Sequence, residues 1–381
     1  MNDDIRLHAH LMDKANGRSQ LNTPVLLIDE AALDRNIAKM AGFARDAQVA
    51  LRPHAKTHKS VDIAKRQIAA GALGLCCAKI GEAEVLAAGG IPGLLITSPV
   101  TAAPAIARLA ALAAKADDLM VVVDHPDVAA KLDTALERAG AQIQVLIDID
   151  PGIARTGVAS PAKAVELAQV IEKLPRLRWR GVQFYCGSQQ HIADFSERRA
   201  AMEQRADLLH SHLAALGEAG FVPEIVSGSG TGTHQIDREL GLFTEWQVGS
   251  YVFMDRQYQL CDLAGDGAPL FETSLFVDAI VVSANHKGLV TLDAGFKVLS
   301  SDGGLPKVMA GAPEDAHFAF MGDEHGALIA PDIGTQLAPG ARVSLMVPHC
   351  DPTVNLYDHY HVVAQDRLLA IWPVSARGRS R

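Results

Sequence analysis

Short apolar runs alternate with segments of helical periodicity through the first two thirds of the chain. The runs are rich in valine, isoleucine and leucine, and the segments between them carry alanine, leucine and glutamate at helical spacing. This alternation predicts parallel strands joined by helices, and strands that are apolar throughout predict a sheet buried on both faces. The predicted strands are 25–29, 49–55, 74–79, 93–98, 120–124, 143–149, 180–186, 224–229 and 246–254, and the predicted helices include 31–47, 60–71, 81–89, 161–173 and 194–218.

The number of these units favours a closed barrel over an open, doubly wound sheet. Eight strand and helix units fit the roughly 200 to 250 residues that such a barrel uses, so one of the nine candidate strands should lie outside it. After about residue 265 the pattern changes to strands separated by glycine, aspartate, asparagine and proline turns. We therefore predict an α/β protein in which a (β/α)8 TIM-like barrel spans residues 22–265. Residues 1–21 and 266–381 should form an antiparallel β-domain, with a frayed polar tail at 375–381.

Composition narrows the possible partners. The chain has 381 residues, 49% of them apolar, and a formal net charge of -9, which suits neither nucleic acid nor an anionic membrane surface. No apolar stretch approaches the ~18 residues of a membrane span. The five cysteines show no paired spacing, and the first residues lack the features of a signal peptide. We expect a cytoplasmic protein with reduced thiols that acts on a small molecule.

A lysine follows the second predicted strand, in the segment Arg52-Pro-His-Ala-Lys-Thr-His-Lys59. In a parallel barrel the carboxyl ends of the strands form the rim of the active site. If the strand continues, Lys56 shares a face with His54 and His58, and cationic or desolvated surroundings help an amine to lose its proton and attack a carbonyl. Lys59 is the alternative, but it should already open the next helix. We favour Lys56 as a Schiff-base lysine over a solvated basic patch.

Two turns rich in glycine and hydroxyl groups follow the last predicted barrel strands. They are the Ser-Gly-Ser-Gly-Thr-Gly-Thr run at 227–233 and Gly249-Ser250-Tyr251. Small residues at this corner of a barrel expose backbone N–H groups that bind phosphate. The spacing is neither that of a P-loop nor that of a dinucleotide fingerprint. We expect a ligand that carries a phosphate, with an ordinary turn as the alternative.

Two further strand ends carry polar residues. Arg155 lies in the loop Asp-Pro-Gly-Ile-Ala-Arg-Thr-Gly at 150–157, and Tyr185 is followed by a glycine turn and His191. An arginine in such a loop can hold an oxyanion. Taken singly, both patterns are weak, because loop arginines and lone histidines more often have structural roles.

Near the other end of the chain, His349 and Asp351 are two residues apart, a spacing that puts both on one face of an extended chain. One nitrogen and one oxygen ligand suit Mn²⁺, Mg²⁺, Co²⁺ or Zn²⁺, and Cys350 should face away. Two protein ligands leave positions for water or substrate, which favours a catalytic ion. Asp323 could orient a metal-bound water.

Together these segments resemble the fold-type III pyridoxal-phosphate enzymes, the alanine racemase-like group, and within it the D-threonine aldolase and D-serine dehydratase branch. The resemblance implies that Lys56 carries pyridoxal 5'-phosphate, with Arg155 and Tyr185 near its ring. It also implies a catalytic histidine at His191 and a metal at His349 and Asp351. The matching pieces are PHAKTHK, DPGIARTG, YCGSQQH, SGSGTGT, QVGSYVFMD, LDAGFK and PHCDPTVNLYD, from about residue 20 to 365. The phosphate would be held by Ser229, Gly230, Thr231, Gly249, Ser250 and Tyr251.

One position separates the branches of that group. The dehydratases carry a cysteine where this chain has Asp351, so the resemblance favours the D-threonine aldolases, which cleave D-3-hydroxy amino acids to glycine and an aldehyde with a divalent metal. We expect Mn²⁺, catalytic roles for Lys56, His191 as base and Arg155, and a homodimer. The alternatives are a D-serine or D-threo-3-hydroxyaspartate dehydratase and a non-catalytic pyridoxal-phosphate barrel. The latter proteins lack a C-terminal β-domain and a metal pair.

Overall fold

The computed structural model describes residues 3–116 and 118–381. These residues form one sheet of eight parallel strands and a second, nine-stranded sheet in which most pairs are antiparallel. The elements that precede the parallel sheet in the chain are α1 (Asp3–His8), β1 (Val25–Asp29) and α2 (Glu30–Asp46).

The eight parallel strands follow, and most of their residues are buried, as continuous apolar runs predict. The helices between the strands pack on the outer face of the sheet, and side chains of the strands themselves fill the interior of the barrel. The strands are β2 (Ala50–Leu51), β3 (Cys76–Cys77), β4 (Leu95–Ile96), β5 (Met120–Val123), β6 (Ile143–Asp148), β7 (Leu177–Phe184), β8 (Ile225–Gly228) and β9 (Glu245–Trp246).

The strands curl round in the order β2, β9, β8, β7, β6, β5, β4, β3. The two ends of this order meet, because the Cys76 N–H donates to the Pro53 carbonyl at 2.8 Å and His54 forms a bridge with Cys76. The predicted (β/α)8 barrel is therefore confirmed. Its helices are α3 (Val61–Ala69), α4 (Ile80–Ala88), α5 (Ala103–Ala113), α6 (Pro126–Ala139), α7 (Pro161–Glu172), α8 (Phe195–Glu218), α9 (His234–Leu240) and the short α10 (Arg256–Gln259).

The second sheet holds most of the C-terminal part of the chain and confirms the predicted β-domain. Its main path runs β13, β14, β11, β10, β1, β16, β17, with β15 also paired to β10 and β12 paired to β15. The strands are β10 (Leu275–His286), β11 (Leu289–Leu292), β12 (Lys307–Ala310), β13 (His317–Phe320), β14 (Gly326–Ile329), β15 (Arg342–Met346), β16 (His359–Ala364) and β17 (Arg367–Pro373), with the helices α11 (Ile333–Gln336) and α12 (Cys350–Val354).

The strand outside the barrel is β1. It falls within the range 22–265 predicted for the barrel, but it pairs with β10 antiparallel and with β16 in parallel. The observed boundary of the barrel therefore differs from the predicted one at its N-terminal end. The apolar run predicts that this strand is buried, but local periodicity carries no information about which sheet receives it.

The C-terminal tail is not frayed, contrary to expectation. Val374 and Ala376 are buried, and the Ala376 N–H donates to the Lys59 carbonyl at 2.9 Å. The Gly81 N–H donates to the Arg381 carbonyl at 3.1 Å. Two small apolar anchors thus hold a polar tail on the barrel. No helix within the described ranges combines the length and the apolar character needed to cross a bilayer.

Candidate active site

Lys56 lies in a single 3-10 turn, Ala55–Thr57, which follows β2 after three residues. Its amine Nζ is 2.8 Å from the Asp351 carboxylate Oδ2. The two segments that the sequence analysis singled out, nearly three hundred residues apart, therefore meet at one place. The Asp351 charge raises the pKa of Lys56 above its ordinary value. Burial alone would raise the pKa of Asp351, but Lys56 and His349 outweigh this effect and lower it.

The two histidines beside Lys56 do not share one face with it, because the chain turns at residues 55–57 instead of continuing as a strand. His54 Nδ1 accepts the Lys56 backbone N–H at 3.3 Å, whereas His58 is fully buried against Gln67 at 3.2 Å. Burial lowers the pKa of His54 to about 3 and that of His58 to about 4. These two imidazoles are therefore uncharged near pH 7 and add no positive charge beside the amine, and Asp351 has the largest influence on the pKa of Lys56.

Lys59 makes different contacts. Its amine lies 3.2 Å from Glu82, 3.3 Å from the Asn355 side chain and 3.1 Å from the Ser380 hydroxyl, and only 6% of the residue is exposed. Lys59 thus ties the barrel to the C-terminal segments. Lys56, by contrast, lines a cavity of about 480 Å³ at the carboxyl ends of the strands. This geometry favours Lys56 over Lys59 as the reactive amine.

Arg155 and Tyr185 line the same cavity as Lys56. The Arg155 guanidinium lies over the Tyr185 ring, 5.8 Å from its centroid. The loop that carries Arg155 is fixed by Asp150, whose Oδ1 accepts the N–H groups of residues 152, 153 and 154 at 2.9 to 3.1 Å. The loop closes at Gly157, which has φ of +102° and no room for a Cβ beside the Asp150 nitrogen.

The two turns expected to bind phosphate lie beside Lys56. A small recess next to the amine is lined by Gly230, Thr231, Gly249 and Ser250. The Tyr251 N–H donates to the Thr231 hydroxyl at 3.1 Å, which joins the two turns. Ser229 is buried, with a left-handed φ of +69°. A Cβ at Gly249 would come within 2.8 Å of Thr57 Oγ1, and Thr57 also lines the recess, so a side chain at Gly249 would occupy part of it.

His191 follows a 3-10 turn, Gly187–Gln189, after β7. Its ring lies 4.5 Å from the ring of Tyr258, which lines the recess together with Lys56. Loss of solvation lowers the pKa of His191, with smaller contributions from Asp255, His349, Lys56 and Asp351. The histidine is therefore neutral near pH 7, and its ring contacts a residue that lines the recess beside the Lys56 amine.

His349 and Asp351 do not lie on an extended chain, because a short helix, α12, begins at Cys350. Cys350 is fully buried, and His349 precedes the helix with its Nδ1 2.6 Å from the Asp302 carboxylate. A metal-binding histidine usually donates its other ring N–H to such a carboxylate. The contact leaves His349 Nε2 as the nitrogen available to an ion.

Asp323 was expected to orient a metal-bound water, but it is exposed on the turn between β13 and β14. Its carbonyl accepts the Lys297 N–H at 3.0 Å. Within the described ranges, the carboxylate that contacts His349 is Asp302. The sequence gives little sign of this, since Asp302 lies in a loop 47 positions away from its partner.

A second group with metal-ligand chemistry lies elsewhere, at Asp4, His8 and His361. The two imidazoles face each other with His8 Nδ1 2.8 Å from His361 Nε2. However, the Asn22 N–H donates to His8 Nε2 at 3.1 Å. Neutral His8 must then carry its proton on Nδ1 and donate it to His361. This arrangement is a hydrogen-bonded chain that ties α1 to β16, since the nitrogen facing the group already holds a proton.

Comparison with known proteins identifies the family. Residues 28–257 match the family described as the alanine racemase N-terminal domain, and residues 274–363 match a putative serine dehydratase domain. The chain belongs to this alanine racemase-like family. The predicted resemblance is thereby confirmed, and this fold family implies pyridoxal 5'-phosphate as cofactor.

The relatives that are 35 to 40% identical to this chain over most of its length are named aldolases, whereas a D-threo-3-hydroxyaspartate dehydratase of Delftia sp. is more distant, at 29% identity. The chain is 40% identical to a D-threonine aldolase of Arthrobacter sp. over 95% of this chain and 94% of that protein. It is 36% identical to a 3-hydroxy-D-aspartate aldolase of Paracoccus denitrificans strain Pd 1222, over 95% and 93% of the two chains. The crystal structure of D-threonine aldolase from Filomicrobium marinum superposes with a TM-score of 0.89, at 37% identity, over 94% and 96% of the two chains. The protein is therefore an enzyme, a lyase of the aldolase type, as predicted.

The residues present suit the cofactor that the family implies. Lys56 lines the cavity, the glycine turns leave a recess beside it, and Arg155, which lines the same cavity, supplies a positive charge. An amine, an anion-binding turn and a cation are the groups that a phosphorylated aldehyde requires.

Proposed function

We propose that the protein cleaves D-3-hydroxy amino acids to glycine and an aldehyde, with pyridoxal phosphate on Lys56 and a divalent cation at His349 and Asp351. The observation that carries the proposal is the 2.8 Å contact between Lys56 Nζ and Asp351 Oδ2. It puts the proposed metal ligand within reach of a substrate attached at the position of the amine.

The donor set at the proposed ion site supports a metal. His349 offers Nε2 because its Nδ1 contacts Asp302, and Asp351 offers carboxylate oxygens. One imidazole and one carboxylate suit Mn²⁺ and related ions and leave coordination positions open to substrate. The identity of the ion is part of the proposal, with Mn²⁺ as our first expectation.

His191, Lys56 and Arg155 have different roles in the proposed reaction. When bound, the two cofactors supply an electron sink for the carbon–carbon bond and a Lewis acid for the substrate hydroxyl. His191, neutral because its pKa is lowered, accepts the proton of that hydroxyl at an imidazole nitrogen. Lys56 holds the cofactor before and after the reaction, and the Arg155 charge faces the cavity.

The test is to incubate the purified protein with D-threonine, pyridoxal phosphate and Mn²⁺ and to analyse the products. Acetaldehyde and glycine are expected, and L-threonine serves as the control substrate. A 2-oxo acid and ammonia would instead identify a dehydratase of the same fold. EDTA should abolish the activity and Mn²⁺ restore it, whereas activity that survives complete chelation would rule out the proposed ion.

A second substrate is favoured by one feature of the cavity. Lys79, an exposed lysine, lines it together with Arg155, while Asp124 is the single acidic residue in the lining. A substrate with a carboxylate on its side chain would find a cation there. We therefore include 3-hydroxy-D-aspartate, the substrate in the name of the Paracoccus relative, as the second candidate.

A further inference from the structure

The buried carboxylate of Asp255 connects the barrel helix α10 to the segment that carries the proposed metal ligands. The residue is fully buried, at the N-terminal end of α10. Its Oδ1 accepts the Tyr258 N–H at 3.1 Å, and its Oδ2 accepts the Cys350 N–H at 2.9 Å. One oxygen therefore caps a helix of the barrel domain, and the other holds the segment that carries the proposed metal ligands.

Two backbone hydrogen bonds support the same junction. The Arg256 N–H donates to the Val347 carbonyl at 3.0 Å, and the Gln257 N–H donates to the Pro348 carbonyl at 3.3 Å. The start of α10 and residues 347–350 are thus joined by three consecutive contacts. Of these, only the contact from Asp255 depends on a side chain and can be changed by substitution.

Both segments joined by Asp255 lie next to residues that we propose to act on the substrate. On one side, the Tyr258 ring contacts the His191 ring at 4.5 Å. On the other side, Cys350 lies between His349 and Asp351 in the chain. The proposed base and the proposed ion must reach the same hydroxyl, and a misplacement of about 1 Å in such a pair can reduce the rate by ~10².

We propose that Asp255 is a positioning residue, which sets the placement of His191 relative to the ion held by His349 and Asp351. This inference rests on the proposed function. A buried carboxylate without a cationic partner costs free energy unless its oxygens are hydrogen-bonded. Here both oxygens accept backbone N–H groups from two different domains, so the side chain is held in one position.

The decisive variant is Asp255→Asn. The asparagine amide keeps one acceptor oxygen, but its NH₂ group then faces the N–H of either Tyr258 or Cys350. Two donors cannot bond to each other, so α10 or the segment 347–350 must shift. We expect about 10- to 100-fold weaker Mn²⁺ binding, measured by electron paramagnetic resonance of free Mn²⁺, as is usual when a group supporting a metal ligand is lost. The kcat for D-threonine should fall by a similar factor, while KM and the absorbance of bound pyridoxal phosphate change little.

Asp29→Asn is the matched control. Asp29 also caps a helix, with its Oδ1 accepting the Ala32 N–H at 2.9 Å, but it lies on β1, in the second sheet. An asparagine caps a helix as well as an aspartate does, so this variant should match the wild type in Mn²⁺ affinity and kcat. If Asp255→Asn matches the wild type too, or loses only thermal stability, the proposal is wrong.

A second pair of variants keeps the proposal testable if Asp255→Asn does not fold. Tyr258→Leu removes the aromatic contact with His191, and Tyr258→Phe retains it. We expect the leucine variant to lose more kcat than the phenylalanine variant, and equal losses would overturn the positioning role. A wild-type protein that binds Mn²⁺ but cleaves neither D-threonine nor 3-hydroxy-D-aspartate refutes the proposed function alone, because the Mn²⁺ titration of Asp255→Asn still decides the inference. A wild type without Mn²⁺ affinity refutes both.

Discussion

Lys56 and Lys59 are three residues apart, but their amines have opposite roles in the structure. Lys56 faces a cavity and one carboxylate, whereas Lys59 is enclosed by Glu82, Asn355 and Ser380. Lys56→Ala should therefore abolish the absorbance of bound pyridoxal phosphate. Lys59→Ala should retain it but lower the free energy of unfolding in urea by about 3–5 kcal/mol, because the buried Glu82 carboxylate loses its ion pair with the Lys59 amine. A Lys59→Ala protein without cofactor absorbance would reverse our choice of lysine.

The pH dependence of the reaction follows from His191. Its pKa lies below the ordinary value of 6.5, so the neutral form that accepts a proton persists as the pH falls through 6.5. We expect the acid limb of kcat to lie below pH 6.5 and His191→Ala to lose the activity while keeping the cofactor absorbance. The measurement is kcat for D-threonine from pH 5 to 9 at saturating Mn²⁺. An acid limb centred above 6.5, or an active His191→Ala variant, would remove His191 as the base.

Lys79 bears on the choice of substrate. It lines the cavity as an exposed side chain, so its charge should contribute to binding a second carboxylate. We expect Lys79→Ala to raise KM for 3-hydroxy-D-aspartate about tenfold, the effect of ~1.4 kcal/mol, and to leave KM for D-threonine nearly unchanged. Equal changes in KM for the two substrates would show that Lys79 does not bind the side-chain carboxylate of 3-hydroxy-D-aspartate.

Among the elements, the loop 150–157 places Arg155, and its closing glycine makes this loop testable. Gly157 has φ of +102°, and a Cβ there would overlap the Asp150 backbone nitrogen. Gly157→Ala should therefore displace the loop and weaken the binding of pyridoxal phosphate, measured by absorbance during titration. Gly140→Ala is the matched control, because Gly140 also has a positive φ, +65°, but open space around its Cβ position. If both variants bind the cofactor like the wild type, the loop does not help to position Arg155.

The sequence predicts individual elements well where the signal is local. The apolar runs at 120–124 and 143–149 correspond to β5 and β6, and the helix predicted at 194–218 corresponds to α8. The extended conformation expected for His349 to Asp351 is wrong, because Asp351 and Pro352 lie in the first turn of α12, where a proline is tolerated. Spacing within a segment could not distinguish these conformations.

The supporting residues of the site could not be predicted in this way. Asp302 contacts His349 across 47 positions, and Asp255 contacts Cys350 across 95 positions. Both contacts depend on how two domains pack. Asp302 lies outside the matching motifs, and Asp255 ends the piece QVGSYVFMD, but nothing in that piece indicates its partner. The residues at strand ends, such as Lys56 and Arg155, could be found because the barrel itself brings such positions together.

At the scale of the whole molecule, residues 374–381 pack against the barrel. Ala376 is buried, its N–H donates to the Lys59 carbonyl, and the Ser380 hydroxyl contacts the Lys59 amine. A chain that ends at Val374 should unfold at a lower temperature, because it loses this buried anchor and exposes Lys59. Its cofactor absorbance should remain, since Lys56 is untouched. Differential scanning calorimetry of the two chains is the measurement, and an unchanged Tm would show that the tail contributes nothing to stability.

The position of β1 has a consequence for synthesis on the ribosome. β1 ends at Asp29, but its partners β10 and β16 begin only at Leu275 and His359. Until these partners have been translated, the two edges of β1 have no native neighbour, and an unpaired apolar strand is prone to associate with other chains. The nascent protein therefore has to keep β1 shielded until β16 has left the ribosome, and chaperone demand during expression should follow from this single pairing.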